Sequence, residues 1–299
     1  MKVFVSGFGG QLGYDVVYEL IERGHVPIAS DIKENVICPC EYVKLDITNS
    51  KEVEKVLFDV QPEVVIHCAA WTAVDLAEDE DKQELVHNIN VLGTQNIAKA
   101  CKDLNCKMIY ISTDYVFDGQ GDKPWQADCQ SFSPLNVYGA SKLGGEIAVK
   151  ESLEKYFIVR IAWVFGVNGN NFVKTMLKLG KTLKEIRVVN DQIGTPTYTY
   201  DLAKLLVDMS QTEKYGCYHA TNEGEYISWY DFAREIFKVA NCDINVIPVT
   251  TEEYGVSKAR RPFNSRLDKE KLSIQGFNRL PHWKDALRRY IQTEQKNNK

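Results

Sequence analysis

The sequence predicts an α/β fold, a doubly wound parallel sheet with a smaller lobe woven into it from the C-terminal half. Three observations carry this reading. Short runs rich in Val and Ile alternate with helical patterns through the first half of the chain. A glycine-rich turn joins the first of these runs to the first helix. After Trp163 the alternation loosens into turn-rich segments, with no internal repeat and no low-complexity linker. At 299 residues, 44% hydrophobic and 26% charged, the chain has ordinary globular composition and enough length for a sizeable core.

In chain order, strands are read at Lys2–Ser6, Val26–Ser30, Tyr42–Leu45, Val64–Cys68 and Met108–Ile111, each bounded by turn residues. Between them lie helices Gln11–Arg23, Ser50–Val60 and Asn88–Leu104. In the first helix Val16, Val17, Leu20 and Ile21 recur at helical spacing and Gly24 is the stop; Ser50 is read as the cap of the second. The acidic run Glu78-Asp79-Glu80-Asp81 reads as a solvated helix start, where negative charge meets the positive end of the dipole. A helix from about Tyr138 to Ser152 leads into a sixth strand, Phe157–Ala162. Further on come strands Tyr215–Thr221 and Ile244–Val249, helices Ser228–Val239 (capped by Ser228) and Trp283–Ile291, and a polar, frayed tail Glu294–Lys299. The alternation implies a Rossmann-type sheet with helices on both faces. Its domain is expected at 1–163 plus about 190–220, and the lobe at about 164–189 and 221–299.

The formal net charge of -5 leaves no basic footprint, so neither nucleic acid nor a membrane surface is an expected partner. The cysteines at 38, 40, 68, 101, 106, 129, 217 and 242 lack paired metal spacing. Cys38-Pro39-Cys40 has no second pair and reads as a loop with free thiols, so no metal is expected. The N-terminus is too short and glycine-rich for a signal peptide, and no apolar stretch spans a bilayer. A reducing cytoplasm fits these features.

Gly7-Phe8-Gly9-Gly10-Gln11-Leu12-Gly13 follows the first strand and opens the first helix, the context of a dinucleotide loop. Its spacing is G-x-x-G-x-x-G. Glycine permits the tight turn and the close backbone approach to a pyrophosphate, and the helix N-terminus offers unpaired N–H groups. Asp31 ends the second strand, where an acid accepts from an adenosine ribose hydroxyl and repels a 2′-phosphate; Lys33 would offset that repulsion. The cofactor is therefore read as NADPH or NADH, with the choice open. Downstream, Thr113 ends an apolar run, and Tyr138 and Lys142 stand one helical turn apart. An ammonium beside a phenol lowers the phenol's pKa and makes it useful in proton transfer near neutrality. Tyr115 and Trp163 each present an apolar face and a polar tip, which suits a deoxysugar.

Together, Gly7/Gly10/Gly13, Asp46-Ile47, Ala69-Ala70, Asn90-Val91-x-Gly93-Thr94, Thr113 and Tyr138/Lys142 resemble the extended short-chain dehydrogenase/reductase superfamily. Within it the chain is most similar to the dTDP-4-dehydrorhamnose reductases. That likeness rests on Gly10-Gln11-Leu12-Gly13, Thr72-Ala73-Val74-Asp75-x-Ala77-Glu78, Ser112-Thr113-Asp114-Tyr115-Val116-Phe117-Asp118-Gly119, Trp163, Gly169-Asn170-Asn171-Phe172, Asp191-Gln192-x-Gly194-x-Pro196-Thr197 and Arg260-Arg261-Pro262. The resemblance implies reduction of the 4-keto group of a dTDP sugar, a small-molecule sugar nucleotide held by the C-terminal lobe. It assigns Thr113, Tyr138 and Lys142 to catalysis. Gly7, Gly9, Gly10, Gln11, Leu12, Gly13, Asp31, Asp46, Ile47, Ala69, Ala70, Thr72, Asn90, Tyr138 and Lys142 would meet the cofactor. Val74, Thr113, Asp114, Tyr115, Tyr138, Trp163 and Arg261 would meet the substrate, with Arg260 an alternative to Arg261 for the pyrophosphate. The protein is expected as a monomer or homodimer.

Rival readings remain within reach of the sequence. A 4,6-dehydratase would carry Glu after the Asp of the Thr-Asp pair, where this chain has Tyr115. A sugar-nucleotide 4-epimerase shares the Thr/Tyr/Lys set but keeps its NAD tightly bound. A non-catalytic regulatory subunit of methionine adenosyltransferase shares the fold and would turn over no cofactor.

Overall fold

The computed structural model describes residues 1–34 and 36–297. Its frame is a seven-stranded sheet in which every pairing is parallel. Six strands come from the first half: β1 (Lys2–Ser6), β2 (Val26–Asp31), β3 (Glu41–Lys44), β4 (Val64–His67), β5 (Lys107–Thr113) and β6 (Tyr156–Ile161). They run β3-β2-β1-β4-β5-β6 across the sheet, and Gly216–His219 adds the far edge beside β6. The order reverses between β1 and β4, so the carboxyl ends of the strands open a crevice there. Strand periodicity feeds two cores: Val3 and Val5 of β1 enter one, Phe4 the other. The first is covered by α1 (Gln11–Glu22) and by the helix Thr199–Ser210, through Val16, Leu20, Leu202 and Leu206. The second is covered by α2 (Ser50–Val60) and by the helices described next.

The helix expected at Asn88–Leu104 is the later part of a longer rod. α3 (Glu80–His87) passes through a π-helical turn, Asn88–Gly93, into α4 (Thr94–Asp103). Glu80 and Asp81 occupy the first turn of α3, as the acidic run implied. Of α3 only Val86 is buried, so no apolar stripe marked it in the sequence. α2 is capped by Asn49, whose side chain accepts from Glu52 N, and not by Ser50. α5 (Val137–Ser152) is capped by Asn136, which accepts from Gly139 N at 2.7 Å.

The lobe has its own core, built from Phe165, Met176, Phe232, Ile236, Trp283 and Tyr290. Its parts are the helix Phe172–Leu179, the parallel pair Glu185–Val189 with Asn245–Val249, the helix Trp229–Val239, and the helix Trp283–Asn297. Ser228 caps Trp229–Val239 in a reciprocal capping box with Asp231. The last helix runs through Glu294 to Asn297, where the sequence suggested fraying; Asn298 and Lys299 lie outside the described residues. It is anchored by buried Tyr290 and Ile291 and by Arg289, which donates to both oxygens of Asp201 at 2.8 Å. The chain crosses between the cores repeatedly. Tyr198 is buried in the lobe while Leu202 enters the sheet core, and Leu272, Phe277 and Leu280 return to that core.

Candidate active site

β1 runs into Gly7, which has φ +76°. A Cβ on Gly7 would lie 2.6 Å from Ala69 N, and one on Gly13 would lie 2.2 Å from Gly7 O, so both glycines are demanded by packing. At Gly10 a Cβ would meet only Gly7 O, at 3.3 Å. Gly10 caps α1 without any side-chain hydrogen bond, so the first N–H groups of the helix keep their positive end for an anion. Gly9 N donates to Asp31 Oδ2 at 2.9 Å, and Lys33 N donates to Oδ1 at 3.3 Å. Each carboxylate oxygen retains a lone pair for a ribose hydroxyl.

Gly7, Gly10, Asp31, Asp46, Ile47, Ala69 and Ala70 line one cavity of about 200 Å³ at the crevice. Ile32 and Ile89, which the sequence did not single out, also line it, with Ser6, Ser30, Leu45 and Cys68. Other expected cofactor residues stand apart from this lining. Leu12 is buried in the sheet core, and Gln11 Oε1 accepts from Asn171 Nδ2 at 3.0 Å, toward the lobe. Thr72 is exposed on the loop after β4. Asn90 has its amide fully engaged: Oδ1 accepts from Trp71 N at 2.8 Å, and Nδ2 donates to Trp71 O and to Ser141 Oγ. It ties the 69–74 loop to α5. A pyrophosphate fits this cradle of close backbone, uncapped helix end and carboxylate rim.

Thr113 ends β5, paired with Ile161 of β6. α5 puts Tyr138, Lys142 and Glu146 on the face turned to β5. It comes close because Gly139 and Gly145 lack a Cβ, which would lie 2.3 Å from Tyr115 O and 2.1 Å from the Tyr110 hydroxyl. Thr113 Oγ1 donates to Asp114 Oδ1 at 3.0 Å and accepts from Tyr115 N at 3.3 Å, and Tyr138 lies close enough to feel both Thr113 and Asp114. Asp114 is buried, its Oδ2 has no partner, and burial raises its pKa to about 6 against the pull of Ser265 and Thr113. Beneath the site, Glu146 accepts from Arg160 at both oxygens, at 2.7 Å each, and from Ser112 at 2.6 Å. Burial pushes that carboxyl up, and the guanidinium overcomes it.

Helical spacing predicts that Lys142 lowers the pKa of Tyr138, and the structure differs. Burial and the nearby Asp114 raise the phenol above its ordinary value, Thr113 alone opposes them, and Lys142 is not among the causes. The Lys142 ammonium lies 4.2 Å from the centre of the Tyr110 ring, near the Glu146 carboxylate and the Cys68 thiol, which burial keeps protonated with its pKa raised to about 12. Burial lowers the Lys142 pKa to about 7, although Glu146 pushes it up. His67 packs at the end of β4, as expected. It is held between Ser6 Oγ at 2.6 Å and Thr94 Oγ1 at 3.2 Å, with its pKa lowered to about 3 by burial and then Lys142. Thr94 donates to Asn90 O, so it accepts from His67 Nε2, and Ser6 donates to Nδ1.

A larger cavity, about 550 Å³, opens in the lobe beside Asp75, Phe172, Gln192, Trp229 and Arg261. Of the two candidate arginines, Arg261 lines it, whereas Arg260 is exposed. Trp229 was not foreseen. Trp163 stacks on it with centroids 3.8 Å apart and holds φ +51°, an uncommon conformation for a bulky residue. A Cβ on Gly194 would lie 3.0 Å from the Trp163 ring, which accounts for that glycine. Gly119 packs so tightly on Pro262 that a Cβ would lie 2.3 Å from it, joining two quoted motifs. Val74 is half-buried on the loop leading to Asp75. The Tyr115 ring meets Tyr138 edge-on at 5.7 Å, and Tyr115 is an electrostatic neighbour of Arg261. Lys142 thus lies near Cys68 of the first cavity, and Tyr138 packs on Tyr115, which neighbours Arg261 of the second.

Among the described residues no group of three or more His, Cys, Asp or Glu side chains is arranged around a metal, and no helix is long and apolar enough to cross a membrane. The family model described as RmlD substrate binding domain matches residues 1–296. The chain is 39% identical to the spore coat polysaccharide biosynthesis protein SpsK of Bacillus subtilis (strain 168), over 97% of both chains. It is 36% identical to the dTDP-4-dehydrorhamnose reductase of Escherichia coli (strain K12), again over 97% of both. Among solved structures, the dTDP-4-dehydrorhamnose reductase of Bacillus anthracis in complex with NADP is similar with a TM-score of 0.90 and 42% identity, over 98% of this chain and 99% of that one. The Clostridium acetobutylicum dTDP-4-dehydrorhamnose reductase structure gives 0.91 and 41%, over 99% and 100%.

Proposed function

This chain belongs to the RmlD substrate binding domain family, and from that premise we propose that it is an oxidoreductase that uses NADPH or NADH to reduce the 4-keto group of dTDP-4-dehydro-L-rhamnose. The product, dTDP-L-rhamnose, is a precursor of cell-surface polysaccharide. One observation carries the reading: α5 carries Lys142 near Cys68 of the dinucleotide-type cavity and Tyr138 against Tyr115, whose neighbour Arg261 lines the larger cavity of the lobe.

The bound dinucleotide supplies the hydride. Gly7, Gly9, Gly10, Gly13 and the amino end of α1 seat its pyrophosphate. Asp31 takes an adenosine ribose hydroxyl, Asp46 and Ile47 flank the adenine, and Lys142 holds the nicotinamide ribose. Tyr138, its proton held by burial, donates to the substrate oxygen as charge develops there. Thr113 hydrogen-bonds the same oxygen. The unpartnered Asp114 Oδ2 accepts from a sugar hydroxyl. Val74, Tyr115 and Trp163 shape the sugar pocket, and Arg261 pairs with the diphosphate. The division at 1–163 plus about 190–220 against about 164–189 and 221–299 separates cofactor from sugar nucleotide in this scheme. Free thiols throughout the chain support a cytoplasmic setting.

The test is oxidation of NADPH and of NADH by the purified protein with dTDP-4-dehydro-L-rhamnose. Turnover with neither cofactor sinks the proposal.

A further inference from the structure

The segment Asp75–Asp79 has no part in the chemistry assigned above, yet three of its carboxylates hold parts that the chemistry needs. Asp75 accepts from both terminal nitrogens of Arg261, at 3.0 Å and 2.7 Å, and from Ala259 N at 3.1 Å. Glu78 Oε1 accepts from Val137 N at 2.8 Å, one residue before Tyr138. Asp79 pairs with Lys258 at 2.6 Å. The segment thus grips the amino end of α5 and, at the same time, the loop 258–261 of the lobe. Arg261 in turn lies near Tyr115, which packs on Tyr138.

We infer that Asp75 is a positioning residue for the diphosphate of the sugar nucleotide. It fixes the Arg261 guanidinium at the wall of the lobe cavity with two of its N–H donors, a third reaching Ala259 O at 3.4 Å, so two of the five donors stay uncommitted. The Asp75 side chain is 44% exposed and that of Arg261 24%, and a pair so open contributes little to folding. Its loss should therefore read out in ligand binding and not in stability. This inference rests on reading the lobe cavity as the sugar-nucleotide site.

The experiment compares wild type, Asp75→Asn, Arg261→Ala and the double variant in two ways: kinetics with NADPH and dTDP-4-dehydro-L-rhamnose, and calorimetric binding of dTDP and of thymidine. For Asp75→Asn the KM for the sugar nucleotide and the Kd for dTDP should rise about tenfold, the scale of one charge-assisted hydrogen bond. Thymidine binding, kcat and the KM for NADPH should hold. Arg261→Ala should cost less in the Asp75→Asn background than alone, because the two act as a unit. Tighter dTDP binding in Asp75→Asn would mean that Asp75 competes with the diphosphate, and equal loss of dTDP and thymidine would mean that the cavity has collapsed; each overturns the inference. A wild-type protein that binds neither ligand instead overturns the reading of the cavity.

Discussion

Tyr138 holds its proton more firmly than a free phenol because it is buried beside Asp114, which suits a group that must release it only to a developing alkoxide. Tyr138→Phe should lower kcat roughly 10²–10⁴-fold while cofactor affinity persists. An unchanged kcat would remove Tyr138 from its role. Lys142 has its pKa lowered to about 7, so its ammonium is lost as pH rises through that value in the free enzyme. For the cofactor, kcat/KM should fall over the same range in wild type and be flat in Lys142→Met; parallel profiles would contradict the ribose contact. Asp114 is raised from its ordinary 3.8 to about 6. The native state thus binds its proton more tightly than the unfolded chain, and stability is lost as pH rises from about 4 to about 6. Asp114→Asn should raise Tm at pH 8 and leave it unchanged at pH 4, while weakening sugar binding. A variant no more stable at pH 8 than wild type would show that the buried carboxylate costs nothing.

Among the elements, the glycine turn separates two kinds of need. Gly13→Ala would force a Cβ to 2.2 Å from Gly7 O and should destabilise the fold, whereas the Gly10 position has only Gly7 O nearby, at 3.3 Å. Gly10→Ala should fold with a near-native Tm and lose cofactor affinity, as thermal melts and fluorescence titration would report; full affinity would move the pyrophosphate elsewhere. The turn, β1 to β6 and α5 were legible because strand periodicity, glycine and the Tyr-x-x-x-Lys spacing are local signals. Where signals are not local, reading stopped. α3 has too little buried surface to show a stripe, and the helix Thr199–Ser210 follows a turn-rich stretch that hid its start. Ile193–Gly194 and Thr197–Tyr198 are strands of two residues, short of any period. Asp75 finds Arg261 across 186 positions, Trp229 meets Trp163 only in the folded lobe, and Lys142 turns toward Tyr110 although spacing alone suggested Tyr138.

Over the whole molecule, the chain enters the lobe after Ala162, rejoins the sheet core at Leu202, leaves again, comes back at Leu272 and departs finally with Trp283. The exposed stretch Gly255–Lys258 lies between two of these passages. A protease nick there should leave both pieces running as one particle on gel filtration, parting only in denaturant; free fragments under native conditions would refute it. Relatives of such a chain cannot trade lobes by a single splice, because no one cut frees either half. A change to the lobe's binding surface is therefore made inside a body that is inherited whole.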